Sequence, residues 1–131
     1  MREAFSPAKY TIEPGQTLLT LTIDAVKAQP KAEMFTRPKN HTWVPVSRQE
    51  FLDEVYAVAK GLLDAGVEHG DRVALMANTR YEWMLLNYAI WAAGAVVVPV
   101  YPSSSLSQVQ WIIENSGAVL GIGETQEHSE I

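Results

Sequence analysis

Trp83-Met84-Leu85-Leu86-Asn87-Tyr88-Ala89-Ile90-Trp91-Ala92-Ala93-Gly94-Ala95-Val96-Val97-Val98-Pro99-Val100 contains no charged residue, and its reading decides the fold. A run this long is a candidate membrane span. Its character changes at Gly94, however. Helix formers precede the glycine (Met84, Leu85, Leu86, Ala89, Ala92, Ala93), and β-branched valines follow it. Asn87 and Gly94 also interrupt the apolar stripe. A buried helix followed by a buried strand accounts for the run better than a single span.

Outward from this run, the same alternation repeats. Three segments open with Ser or Thr followed three residues later by Glu or Gln: Ser47 with Glu50, Thr79 with Glu82, and Ser105 with Gln108. This is the capping-box pattern, in which the hydroxyl takes an orphan amide and the longer side chain reaches back to the cap's own N–H. Each segment then meets a glycine, at Gly66, Gly94 and Gly117, the residue best suited to close a helix in the left-handed region. The first helix has one apolar face (Phe51, Val55, Val58, Ala59, Leu62). The second is apolar nearly all round. The third turns Val109, Ile112 and Ile113 to one side. Apolar strand candidates at 72–77, 95–101 and 118–122 follow these helices, and their near-continuous apolar character suits strands covered on both faces. Helix and strand in alternation predict right-handed βαβ units on a parallel sheet.

Upstream, residues 1–16 read as an irregular lead-in ending at the Pro14-Gly15 turn signal. A helix is predicted over 17–29, stopped by Pro30. Two short strands, 32–36 and 42–46, flank the polar stretch Arg37-Pro38-Lys39-Asn40-His41 and predict a hairpin with a five-residue turn. The fold class is therefore α/β: a βαβαβ parallel-sheet core preceded by a helix and a β-hairpin. The organisation expected is 1–46 as lead-in, helix and hairpin, and 47–131 as the α/β part of one incomplete domain.

Composition narrows the function. With 131 residues the chain is long enough for one domain with a real core. Zero cysteines exclude a disulfide scaffold, a cysteine nucleophile and thiolate metal sites. The net charge of −5, without a basic run, leaves no electrostatic footprint for nucleic acid. No signal-like apolar run opens the chain, so a cytoplasmic location is the expectation.

The search for chemistry finds no constellation. His41, His69 and His128 lack metal-ligand spacing and are expected to be solvated in turns, loops or the tail. Gly121-Ile122-Gly123-Glu124-Thr125-Gln126 opens like a dinucleotide fingerprint, but Gln126 stands where the third glycine belongs, so the segment reads as a small-residue strand end. Ser103-Ser104-Ser105 reads as a strand-to-helix turn ending in the cap Ser105. Trp83, Trp91 and Trp111 read as packing residues of helices, and Asp71-Arg72 as the turn into a strand. No catalytic, cofactor-binding or metal residue is assigned.

Several segments, in order, resemble one family. Val46-Ser47-Arg48-Gln49-Glu50-Phe51, Gly66-Val67-Glu68-His69-Gly70-Asp71-Arg72-Val73-Ala74 and Trp91-Ala92-Ala93-Gly94-Ala95-Val96-Val97-Val98-Pro99-Val100 resemble framework motifs of the adenylate-forming, acyl-activating enzymes. Thr79-Arg80-Tyr81-Glu82-Trp83 and Ser104-Ser105-Leu106-Ser107-Gln108-Val109-Gln110-Trp111-Ile112 resemble most the long-chain fatty-acid–CoA ligases among them. The resemblance implies an ATP-dependent enzyme that adenylates a fatty acid and passes the acyl group to coenzyme A, with Mg²⁺ as cofactor. It also implies that this chain is the N-terminal portion of that fold. The family's phosphate loop, ribose-binding Asp, hinge and C-terminal lysine are absent from these 131 residues. The chain alone is thus expected to be inactive and to bind no cofactor, with the remainder of the parent enzyme as its partner. The strand at 118–122 and the helix at 80–93 are expected to stay partly uncovered and to drive self-association. A free-standing α/β interaction module and a small nucleotide-binding protein are the alternative readings.

Overall fold

The computed structural model describes residues 5–129; residues 1–4 and 130–131, the outer ends of the expected lead-in and tail, lie outside the described residues. The order is α1 (Leu18–Ala28), β1 (Glu33–Lys39), β2 (Thr42–Ser47), α2 (Arg48–Asp64), β3 (Arg72–Met76), α3 (Tyr81–Ala92), β4 (Val96–Val100), α4 (Leu106–Ser116), β5 (Leu120–Gly123) and α5 (Gln126–Ser129). No described helix is long and apolar enough to cross a membrane. The uncharged run divides at Gly94, whose φ of 80° lies in the region glycine tolerates, and α3 ends there.

Two of the three expected capping boxes form. Ser47 Oγ accepts the Glu50 amide while Glu50 Oε2 accepts the Ser47 amide at 2.8 Å, and Ser105 and Gln108 do the same for α4. The third does not. Arg80 is the N-cap of α3 and gives it no side-chain cap bond, because Glu82 is taken by the Arg80 guanidinium at 2.6 Å. An unforeseen box opens α1, where Thr17 and Thr20 exchange amide bonds. A threonine hydroxyl is long enough to fill the place usually held by Glu or Gln, which hid this cap from the pattern.

The hairpin also departs from expectation. Lys39 pairs with Thr42, so the turn is only Asn40-His41, with φ of 49° and 63°. Two consecutive residues at positive φ suit the twist of a tight hairpin. Arg37, Pro38 and Lys39 therefore belong to β1, not to a five-residue turn. The hairpin is fastened to the helices by rings: Phe35 lies 4.9 Å from Phe51, and Phe51 lies 5.3 Å from Tyr88. Beside them, Glu54 accepts from Arg37 Nη1 at 3.0 Å and from the Tyr81 hydroxyl at 2.8 Å. Burial first, and then the Glu54 carboxylate, push the Tyr81 hydroxyl well above its usual pKa.

The three-stranded sheet is parallel in the order β4-β3-β5, with Val73 paired to Val97 on one side and to Leu120 on the other. Side chains of β3 alternate between two cores. Val73 packs with Ala59, Leu62, Ala89, Ile90 and Ala93 of α2 and α3. Ala74 and Met76 pack with Val100 and Val109, under α4. Of the three strands only β3 is covered on both faces. β4 and β5 lie at the edges, so Val96 and Gly121 are exposed and the expectation of three covered strands is corrected. Pro99 fits an edge strand, where a missing donor costs little. Helix α3 has no exposed large apolar residue among its described positions, because α2 and the hairpin pack against it. The apolar side chains left open lie elsewhere.

Candidate functional site at the carboxyl edge of the sheet

Parallel strands deliver their carboxyl ends to one edge, so the loops after β3, β4 and β5 gather there. The crossover from β3 to β4 runs through α3 on one face, and that from β4 to β5 through α4 on the other. The chain therefore leaves β3 and β4 toward opposite faces, and the crevice between two such strand ends is the place where open α/β sheets bind ligands.

Beside that crevice, where β3 and β5 end, lies a polar knot. Glu124 Oε2 accepts the Asn78 backbone N–H at 2.7 Å and the Asn78 side-chain amide at 2.9 Å. Its Oε1 accepts Arg80 Nη1 at 2.9 Å. Chiefly through the Asn78 N–H, and then through Arg80, the carboxyl of Glu124 is held down to about 2. Arg80 divides its guanidinium between Glu124 and Glu82, which lowers Glu82 as well. A cleft of about 450 Å³ adjoins the knot, between the ends of β3 and β4, lined by residues that include Asn78, Thr79, Trp83, Pro99 and Tyr101.

The residues singled out in the sequence fall as follows. His41 sits in the hairpin turn. His69 is exposed, with its ring against Gly94: a Cβ there would lie 2.7 Å from its Nδ1. His128, expected to be solvated, is half-buried on α5; its Nδ1 is out of solvent without a hydrogen-bond partner, facing a cavity of about 270 Å³ under α4. Gly121 and Gly123 lie in β5, and Gln126 opens a four-residue helix. Ser105 caps α4. Trp91 packs 5.0 Å from Tyr88 and Trp83 is half-buried. Trp111 is 63% exposed and is not a packing residue; it stands on the side of α4 away from Val109.

Sequence reasoning missed the knot. Asn78 and Glu124 stand 46 residues apart, and only the pairing of β3 with β5 brings them together. It also missed the second task of Arg72, whose Nε and Nη2 donate to the carbonyls of Ser116 and Gly117 at 2.9 and 2.8 Å, closing the C-terminus of α4. Asp71 does close a turn: its carboxylate accepts the Glu68 amide at 2.8 Å.

The family profile of the AMP-binding enzymes matches residues 23–131. The chain belongs to that family. Among AMP-binding enzymes it is 36% identical over 129 residues to the long-chain-fatty-acid–CoA ligase FadD15 of Mycobacterium tuberculosis, covering 98% of this chain and 22% of that relative. The chain thus spans about a fifth of the length of this curated relative. Among solved structures, VinN superposes with a TM-score of 0.82 at 21% identity, over 92% of this chain and 31% of VinN. The N-terminal subdomain of Klebsiella oxytoca NpsA gives 0.73 at 19% identity, over 83% of this chain and 27% of that one. These likenesses establish the fold of an AMP-binding enzyme's N-terminal part.

The donors at the sheet edge do not fit a nucleotide triphosphate or its Mg²⁺. The Asn78 amides and Arg80 Nη1 already point at Glu124, and Glu82 and Glu124 both face a guanidinium. Among the described residues, no group of three or more His, Asp or Glu side chains could hold a metal ion. What the edge does chemically is hold the β3–α3 loop to the end of β5.

Proposed function

We propose that the chain is the N-terminal portion of an ATP-dependent long-chain fatty-acid–CoA ligase, which forms an acyl adenylate and transfers the acyl group to coenzyme A. The observation that carries this reading is the 36% identity to a long-chain-fatty-acid–CoA ligase across 98% of the chain. ATP, Mg²⁺ and coenzyme A belong to the rest of such a polypeptide, and the residues described here serve as framework. Residues 1–46 and 47–131 act as two parts of one incomplete domain, in keeping with the ring contacts between the hairpin and α2. The location proposed is cytoplasmic. On its own, the 131-residue chain self-associates at micromolar concentration.

The test compares two polypeptides from the same reading frame with ATP, Mg²⁺, coenzyme A and a long-chain fatty acid. The product extended beyond Ile131 should release pyrophosphate and consume the thiol. The 131-residue chain should do neither, because groups fixed in place to stabilise developing phosphate charge usually supply most of the rate enhancement. A stop codon directly after Ile131, or turnover by the purified 131-residue chain, would overturn the reading.

A further inference from the structure

The ladder between β3 and β5 continues past the strands themselves. Its last backbone bond runs from the Glu124 N–H to the Met76 carbonyl at 3.0 Å. Beyond it, the Asn78 N–H donates to the Glu124 carboxylate at 2.7 Å, and the Asn78 side-chain amide doubles the contact at 2.9 Å. A side chain thus stands in for the next rung. The same carboxylate accepts from Arg80 at 2.9 Å, while Glu82 holds the other side of that guanidinium at 2.6 Å. One carboxylate therefore fixes the β3–α3 loop at both Asn78 and Arg80, through hydrogen bonds to a charged acceptor, which are the stronger class.

That loop is a wall of the cleft between the ends of β3 and β4. Asn78 and Thr79 line it with Trp83 of α3, and Pro99 and Tyr101 line it from the side of β4. Among the described residues, those that line the cleft carry no charge, and neither Glu124 nor Arg80 is one of them. We propose that Glu124 is a positioning residue for this cleft: it touches no ligand and, through Asn78 and Arg80, holds the wall on which the uncharged part of a substrate rests. The inference rests on the ligase reading for its substrates. A neutral, partly aromatic cleft suits an apolar or flat uncharged group and leaves a phosphate uncompensated. A wall displaced by about 1 Å is enough to cost up to a factor of about a hundred.

The test uses the product extended beyond Ile131, with ATP, the fatty acid and coenzyme A varied in turn. Glu124→Ala should raise the KM of one of the three substrates about five- to tenfold, well beyond its effect on kcat and on the other two KM values. Glu124→Gln, which keeps an acceptor for the Asn78 N–H, should give a smaller rise in the same KM, and it carries the test if the alanine variant fails to fold by circular dichroism. Asn78→Ala should raise that KM too, and the double variant should be no worse than Asn78→Ala alone, because the two residues act as a unit. Ser47→Ala, which removes a helix cap outside the cleft, should lower stability and leave all three KM values unchanged. A second readout needs no turnover. The Trp83 amide donates to the Arg80 carbonyl at 3.1 Å, and in the 131-residue chain its hydrogen exchange should be accelerated by Glu124→Ala and not by Ser47→Ala. Unchanged KM values, an equal rise in all three, or the same pattern from Ser47→Ala would overturn the proposal. An extended product without turnover would overturn the ligase reading. The Trp83 exchange then decides the positioning role: acceleration upholds the hold on the wall, and an unchanged rate overturns it as well.

Discussion

Glu124 is a surface carboxylate with an unusual load: it accepts a backbone N–H, a side-chain amide and a guanidinium N–H. Surface ion pairs alone contribute little, yet here the main acceptor role is toward the Asn78 amide, which β3 leaves behind as it ends. The ionised form is favoured in the folded chain, where the carboxyl titrates at about 2 against a usual 4.5. A folded value below the unfolded one means the contribution is present above pH 4.5 and is lost as the pH falls toward 2. Stability measured by urea titration should therefore decline across that window. Glu124→Gln should show lower stability at pH 7 and a shallower decline in acid, since an amide keeps some hydrogen bonding but cannot titrate. An unchanged slope in the variant would show that Glu50 and Glu82, also lowered by their hydroxyl, amide or guanidinium partners, carry the acid response instead.

At the scale of elements, two helices that look alike in sequence begin differently. Ser47 caps α2 through a reciprocal pair with Glu50, while Thr79, in the same pattern with Glu82, caps nothing. Ser47→Ala should thus cost about 0.5–2 kcal/mol, the usual range for a lost cap. Thr79→Ala, at an exposed position, should stay within about 0.5 kcal/mol. Equal losses in a denaturant titration would contradict the cap assignment. The contrast also marks what sequence can convey. Periodicity, caps and glycines made the three helices and their strands legible because those signals are local. Arg80 defeated the Thr79 reading because a guanidinium two residues from Glu82, and facing Glu124, offers that carboxylate a better partner than the amide of Thr79. The hairpin turn reads too long in the sequence because Arg37, Pro38 and Lys39 look like loop residues, although β1 pairs through them. The knot at the sheet edge, like the cap that Arg72 gives to α4, depends on strand order. No local pattern carries strand order.

For the molecule as a whole, the order β4-β3-β5 predicts an unequal distribution of stability. β3 alone has hydrogen-bonded neighbours on both sides, and Val73, Ala74, Leu75 and Met76 are all buried. β4 and β5 each have one neighbour in the described sheet, and residues 5–17 are exposed and outside any ladder. Amides open locally where contacts are few and only with global unfolding where they are dense. Hydrogen exchange should therefore be slowest at 73–76, with rates that rise in denaturant as steeply as global unfolding does. It should be intermediate in α2 and α3, whose inner faces share the core with Val73, and fastest in 5–17. The hairpin provides the decisive comparison. It has a full ladder of its own, but its hold on the helices rests on Phe35, the buried Val46 and the Arg37–Glu54–Tyr81 network. A two-stranded hairpin is marginal alone, so its amides should exchange through a smaller opening than those of β3. Hairpin amides that outlast 73–76 would place the most stable part of the molecule outside the parallel sheet and refute this ordering.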